Sequence, residues 1–216
     1  RYLAVPDLEF VDGVFAPRRG WAQVQVSSEG HTFGRFDEAT EITFGHLWAG
    51  DEVPIPSDYK HDGQLLRMPE AARRGMHEVF GAAGFSGVDD RILLMHAPKG
   101  ITFDLAAIRL AHEGMQTRRF RSRVVYAGDQ MPDYGTGDTT QYPTGADVWV
   151  LVDGEVRGVV RDITAEHGPV EIDVELTEDD RYLTLVTTSG SDQVQTFDWL
   201  LFGAPEIELA PPPEAD

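Results

Sequence analysis

The stretch from Asp147 to Phe202 constrains the fold most, because it divides into short segments with the side-chain alternation of a β-sheet. Between Val170 and Leu176, apolar residues alternate with acidic ones, the period of two of a strand with one solvated face. Arg181–Thr188 alternates again, and Asp147–Val152 is rich in β-branched and aromatic residues. Asp153-Gly154 follows with the chemistry of a tight hairpin turn. These segments predict an all-β sandwich.

Strand patterns continue in the preceding part of the chain. They predict strands at 91–95, 100–105 and 118–126, and a short helical segment at 106–114. Asp12-Gly13 is expected to form a turn, because both residues favour turn conformations.

The remaining segments indicate a single β-sandwich domain at 1–209 with two insertions. At 216 residues the chain is long enough for one large sandwich. The first insertion, at about 45–90, contains an apolar stripe of helical spacing that predicts one α-helix at about 72–83. The second, at about 127–145, is rich in Gly, Asp, Thr, Pro and Tyr and has no periodicity. The Pro-rich end, 210–216, is interpreted as a linker or tail.

Composition limits the partners. The chain has 37 acidic and 18 basic residues and a formal net charge of −19, which would repel nucleic acids and anionic membranes. No apolar run approaches the roughly 20 residues of a membrane span, so membrane insertion is not expected. Because there is no cysteine, disulfides and thiolate metal sites are excluded. The chain starts at Arg1, and we expect it to be a processed or excised part of a longer protein.

A series of short motifs, in a fixed order, resembles a known family. The motifs are His96-Ala97-Pro98 with KGITFDL, then RRFRSRVVY, ADVWVLVDGEVRG, PVEIDVEL, RYLTLVTTSGSD and FDWLLFGAP, preceded by YLAVPDLEF and GWAQVQV. In this order they resemble the NPCBM family of carbohydrate-binding modules, which is related to the family 51 carbohydrate-binding modules. The resemblance covers roughly 2–26 and 91–209. It departs from the family's pattern at Thr196-Phe197, where a His commonly precedes Asp-Trp, and at Leu201, where an acidic residue is usual.

The resemblance implies a galactose-binding-like β-sandwich, or jelly roll, that is not an enzyme. It also implies a glycan or oligosaccharide as ligand, an extracellular or periplasmic location, and neighbouring domains in a longer chain.

Sugars need two kinds of protein contact. Their C–H faces pack on aromatic rings, and their hydroxyls need hydrogen-bond partners. We therefore expect a ligand site among aromatic and polar residues of loops at one end of the sandwich. The candidates are Trp48, Tyr59, His96, Tyr134, Tyr142, Asp192, Asp198 and Trp199.

Each of the main candidates also has a structural interpretation. Trp199 alternates with Leu201, a pattern that favours a core position. His96 can instead end a strand and bond to the backbone, and Asp198 can anchor loop amides.

Galactose-binding-like domains often hold a structural calcium, so the resemblance raises that possibility here. Calcium takes about 6–8 oxygen ligands. Asp7, Asp12 and Glu206 are candidate ligands, because the two ends of a sandwich domain often lie close together. The alternative is that these carboxylates only solvate the surface.

Two other function classes stay open. The same fold could dock a neighbouring domain or another chain without binding sugar. A hydrolase could be built from His46, His61 and His77 with acidic neighbours in the first insertion. However, the chain has no H-E-x-x-H, G-x-S-x-G, phosphate-loop or dinucleotide motif, so catalysis is not expected.

Overall fold

The computed structural model describes residues 2–4, 8–17, 23–36, 47–49, 53–54, 92–128, 145–193 and 197–212, with the backbone alone for 47–49, 53–54 and 92. Four candidate site residues, Asp7, Tyr59, Tyr134 and Tyr142, lie outside the described residues, as does the helix predicted at about 72–83.

The described strands form two six-stranded antiparallel sheets and a two-stranded ribbon. The first sheet has the spatial order β1 (Tyr2–Ala4), β2 (Val11–Phe15), β8 (Lys99–Asp104), β13 (Tyr182–Ser189), β10 (Ala146–Val152) and β11 (Glu155–Ile163). The second has the order β12 (Val170–Glu175), β9 (Gln116–Tyr126), β14 (Trp199–Ala210), β7 (Ile92–His96), β5 (Leu47–Ala49) and β6 (Val53–Pro54). The ribbon pairs β3 (Val24–Gln25) with β4 (Thr32–Phe33). The predicted all-β sandwich is confirmed.

The main core lies between the two sheets. Its fully buried members include Leu183 and Leu185 of the first sheet and Leu200 and Phe202 of the second. The alternation predicted for β12 is present, because Ile172 and Val174 are buried while the acidic residues between them face outward. Those acids pair with arginines of β9 in an exposed ladder. Exposed pairs of this kind contribute about 0–1 kcal/mol each.

A second core covers the outer face of the first sheet. It is formed by Phe15, Val24, Val26, Phe33, Phe36, Trp149, Leu151 and Val186. Residues 23–36 therefore pack against β10 and β13, and the Thr102 hydroxyl donates a hydrogen bond to the Val26 carbonyl. Because β10 and β13 are buried on both faces, every residue in them is buried, as in strands that lack a solvated side.

Local turn chemistry accounts for several connections. Asp153 and Gly154 have φ of 49° and 82°, as the tight hairpin between β10 and β11 requires. The helix α1 (Leu105–Ala111) begins after Asp104, whose carboxylate accepts a hydrogen bond from the Ala107 N–H at 2.9 Å. This helix overlaps the segment predicted to be helical at 106–114 and begins one residue earlier, at Leu105.

The turn predicted at Asp12-Gly13 is wrong, because both residues lie inside β2 at a bulge in its pairing with β8. A Cβ atom at Gly13 would lie 2.5 Å from the Tyr2 ring and 2.6 Å from the Leu3 carbonyl oxygen. Glycine is therefore required there by the close approach of β1, not by a reversal of the chain.

The stretch at 45–90 contributes to the second sheet. β5 pairs with β7, and β6 extends the same sheet beyond β5. Trp48 lies in β5 opposite Leu94. In the part of the chain with described structure, no helix combines the length and the apolar character that crossing a membrane requires.

Candidate functional site

An open cavity of about 340 Å³ lies at the end of the first sheet where β10 begins and where β11 and β13 end. We call it the β10 cavity. It is lined by Arg35 and Phe36 after β4, Asp147 and Trp149 of β10, Arg161 and Asp162 of β11, the last two residues of β13 (188–189), and 190–191 with Gln193 after them. Its volume falls at the lower end of the roughly 300–1,000 Å³ of small-molecule sites.

A β-bulge shapes one wall of the cavity. Ala146 pairs with Ile163 and Val148 with Val160, so Asp147 alone lies opposite both Arg161 and Asp162. Asp162 has a φ of 51°. Bulges redirect side chains and increase local twist, and here the bulge brings Arg161 to the ring of Trp149.

The two carboxylates of the cavity are held by internal hydrogen bonds. Asp147 accepts from the Asp162 N–H at 2.8 Å and from the Thr188 hydroxyl at 3.4 Å. Asp162 accepts from the Ser191 N–H at 2.6 Å. Burial raises the pKa of Asp147, and the Ser191 N–H lowers the pKa of Asp162. These bonds fix the three chain segments that meet at the cavity.

Two arginine side chains lie over the indole ring of Trp149. The ring N–H donates to the Thr188 hydroxyl at 2.9 Å, and only 4% of the residue is exposed. The Cζ atoms of Arg161 and Arg35 lie 4.8 and 5.6 Å from the ring centroid, within the range of cation–π contacts. Among the residues that the structure describes, neither guanidinium forms a hydrogen bond or an ion pair. Trp149 therefore supports the arginines and is not an open stacking platform.

Asp198 is coupled electrostatically to the cavity wall. It is 0% exposed, and neither carboxylate oxygen has a hydrogen-bond partner within the described part of the chain. Burial, reinforced by the charges of Asp192 and Asp147, raises its pKa to about 9. The nearby Ser189 hydroxyl lowers the pKa in part, although its placement falls short of hydrogen-bond geometry. Asp198 is consequently protonated and neutral at pH 7.

The structure brings four of the predicted site residues together. His96 and Trp199 form an edge-to-face contact with ring centroids 4.6 Å apart, and the Asp198 carbonyl accepts from the Ala97 N–H at 2.9 Å. Of the charged residues that act on Asp198, Asp192 has the larger effect and Asp147 the smaller. His96 and Trp199 are 2% and 6% exposed, and the His96 Nδ1 lies 2.6 Å from the Ala97 carbonyl oxygen. None of these four lines the β10 cavity, and their contact with a ligand stays a prediction.

The predicted calcium ligands do not meet within the described structure. The Asp12 carboxylate accepts from the Tyr2 hydroxyl at 2.6 Å and from the Ser28 N–H at 2.8 Å. Glu206 lies in the second sheet opposite Arg121. No group of three or more His, Asp or Glu side chains that could hold a metal ion occurs in the ranges described above. A calcium site at Asp7, Asp12 and Glu206 stays a prediction.

The sequence reasoning missed the arginines and the cavity. One available signal was Gly190, which stands between two serines at the end of β13. A Cβ atom there would lie 2.5 Å from the Gly145 carbonyl oxygen and 2.7 Å from the Asp162 Oδ1. A glycine inside a polar run at a strand end indicates such a close approach of backbone segments.

Comparisons with known proteins gave matches among solved structures. No family model matches the chain, and no curated protein matches it. One similar structure is the family 51 carbohydrate-binding module of a family 95 glycoside hydrolase from Clostridium perfringens, in complex with methyl-galactose. It is 14% identical, with 78% of this chain and 91% of that chain covered and a TM-score of 0.46.

Two further similar structures contain the same kind of module. The catalytic domain and two family 51 modules of ZmpB from Clostridium perfringens match at 19% identity, covering 54% of this chain but 10% of that chain, with a TM-score of 0.42. The tandem family 51 modules of a family 98 glycoside hydrolase from Streptococcus pneumoniae match at 21% identity, covering 55% and 32%, with a TM-score of 0.41. Family 51 is the group to which the NPCBM family, which the sequence motifs resemble, is related. The sandwich itself is defined by the strand pairing described above.

Proposed function

We propose that this chain is a non-catalytic carbohydrate-binding module of a larger exported protein, and that it binds a glycan in the β10 cavity. One observation carries the proposal. Hydrogen-bonding side chains from four separate segments converge on an open cavity at one end of a two-sheet sandwich. Binding residues are commonly held in this way, on connections positioned by a rigid scaffold.

The chemistry of the cavity suits sugar hydroxyls, which both donate and accept hydrogen bonds. Arg35 and Arg161 offer N–H donors. The partly exposed Asp162 carboxylate offers an acceptor, and Ser191 and Gln193 can do either. The backbone beneath them is fixed, since the Gly190 N–H donates to the Gly145 carbonyl at 2.7 Å. A prearranged set of this kind lowers the entropy cost of binding.

Replacing Asp162 with asparagine tests the site. The amide oxygen of asparagine can still accept from the Ser191 N–H, and asparagine tolerates the positive φ, so the fold is retained. The variant loses a charged acceptor, and hydrogen bonds to charged groups contribute about 1.5–3 kcal/mol. We therefore expect glycan affinity to fall at least about tenfold in calorimetry.

The control for this variant is Asp173→Asn, which removes an equal charge from the exposed ladder of the second sheet. It should leave glycan affinity unchanged. If the folded wild-type protein gives flat titrations across a broad panel of neutral and acidic glycans, the proposed function is wrong.

A further inference from the structure

This inference rests on the proposed function and specifies its ligand. We propose that the glycans bound in the β10 cavity carry a carboxylate, as uronic acids do, and that Arg35 and Arg161 bind this group. The two residues come from distant parts of the chain, one after β4 and one at the end of β11, and they meet over the same indole ring.

In the described part of the cavity, the arginine N–H donors lack partners, whereas the carboxylates already accept hydrogen bonds. Each guanidinium has five N–H donors, and those of Arg35 and Arg161 have no protein acceptor among the described residues. Of the two carboxylates that line the described part of the cavity, Asp147 already accepts from the Asp162 N–H and the Thr188 hydroxyl, while Asp162 accepts from the Ser191 N–H and keeps lone pairs for a ligand hydroxyl. Among the described residues, the two guanidiniums therefore bring more N–H donors than the cavity has open acceptors, and a ligand carboxylate supplies two oxygens in the geometry that a guanidinium fork matches.

The aromatic residue of the cavity cannot bind a sugar in the usual way. Trp149 is 4% exposed and its ring is in contact with both guanidiniums, so it offers little surface for the C–H face of a sugar. The ring instead limits the freedom of the two arginines, which lowers the entropy lost when they bind a ligand. The recognition energy in this cavity then comes from the guanidinium N–H groups.

Among the described residues, four carboxyl groups lie in or near the cavity and affect the binding of a negative ligand. Asp147 is 7% exposed, and its carboxylate accepts a hydrogen bond from the Asp162 N–H. Asp198 is neutral at pH 7. The Ser191 N–H and, more weakly, the charge of Arg161 lower the pKa of Asp162, while Asp192 acts on Asp198 and does not line the cavity. The whole chain carries −19, so its overall field does not favour anions. A preference for an acidic sugar would thus come from the two arginines at short range.

The test compares matched sugar pairs by calorimetry in 0.15 M salt: methyl galacturonoside against methyl galactoside, and methyl glucuronoside against methyl glucoside. We expect the uronate of at least one pair to bind about tenfold or more tightly than its neutral parent, as charge-assisted hydrogen bonds predict. Arg35→Gln and Arg161→Gln should each reduce that ratio to below about threefold. Arg121→Gln, which removes an equal charge from the exposed ladder, should leave the ratio unchanged.

The other outcomes separate this inference from the proposed function. If neutral glycans of a wider panel bind and the uronates bind no better than their parents, the inference is overturned while the proposed function stands. If sodium acetate binds as tightly as the uronates, the cavity recognises an anion and not a sugar, and the inference also fails. If no glycan binds, both fail. The wild-type comparison needs no variant, so a folding defect in an arginine variant does not affect it.

Discussion

Replacing Asp198 with asparagine is expected to stabilise the folded protein at pH 7 by about 2 kcal/mol. The carboxyl group is fully buried, and its pKa rises from 3.8 to about 9. At pH 7 the unfolded chain releases this proton while the folded chain retains it, which favours unfolding by about 4 kcal/mol. Asparagine does not ionise, so the variant lacks this contribution of about 4 kcal/mol to unfolding. The buried amide N–H groups of asparagine are left unpaired, which costs about 1–3 kcal/mol, so the net gain in stability is about 2 kcal/mol.

The sign of the pH dependence follows from the raised pKa of Asp198. Below about pH 4 the group is protonated in both states and its contribution to stability is fully present. Between about pH 4 and pH 9 the wild-type free energy of unfolding falls by about 1.4 kcal/mol per pH unit through this group. Asp198→Asn lacks that slope.

Urea unfolding at pH 5, 6.5 and 8 measures the effect as the difference between the two proteins. The advantage of the variant should grow by about 4 kcal/mol from pH 5 to pH 8. The exposed-ladder variant Asp173→Asn, whose carboxylate is paired on the surface, should show no comparable growth. A pH-independent difference between wild type and Asp198→Asn would show that Asp198 is ionised in the folded protein.

Replacing Trp149 with alanine is expected to lower the free energy of unfolding by about 3–5 kcal/mol. The indole is almost fully buried in the second core, where it makes an edge-to-face contact with Phe33, with ring centroids 5.5 Å apart. Its removal leaves a cavity beneath residues 33–36 and takes away the support of both arginines. Glycan affinity should therefore fall with stability, which urea unfolding and calorimetry measure separately.

Trp149→Phe separates packing from hydrogen bonding at this position. Phenylalanine retains an aromatic ring for the arginines but loses the N–H that donates to Thr188 at 2.9 Å, so the expected cost is about 1–2 kcal/mol with glycan binding retained. Val156→Ala, at a position that is 43% exposed, should cost much less. Equal losses for alanine at 149 and 156 would contradict the second core.

The strands could be predicted where local pattern and final environment agree. Val170–Leu176 alternates because β12 has one face on the core and one in solvent, and Asp153-Gly154 supplies the positive φ that its hairpin needs. The reason for Gly13 could not be predicted, because it depends on Tyr2 packing across a strand pair. The second core could not be predicted either, because the sequence of 23–36 has no pattern that indicates which sheet it packs against.

The cavity was less predictable than the fold. Asp198 and Trp199 were predicted as ligand-site residues, and in the structure both are buried near the cavity. Arg35 and Arg161 stand in unrelated local sequence, and only the bulge opposite Asp147 and the fold of the ribbon segment bring them together. Long-range register of this kind leaves no periodic signal in the sequence.

The most direct test of the central proposal is a two-dimensional ¹H–¹⁵N NMR titration with the glycan panel. Glycan binding in the β10 cavity predicts that the largest shift changes occur at the backbone amides of Asp162, Gly190 and Ser191 and at the indole N–H of Trp149. Changes centred on the opposite end of the sheet, around Asp153 and Gly154, would contradict the account, and so would an unchanged spectrum with every glycan tested.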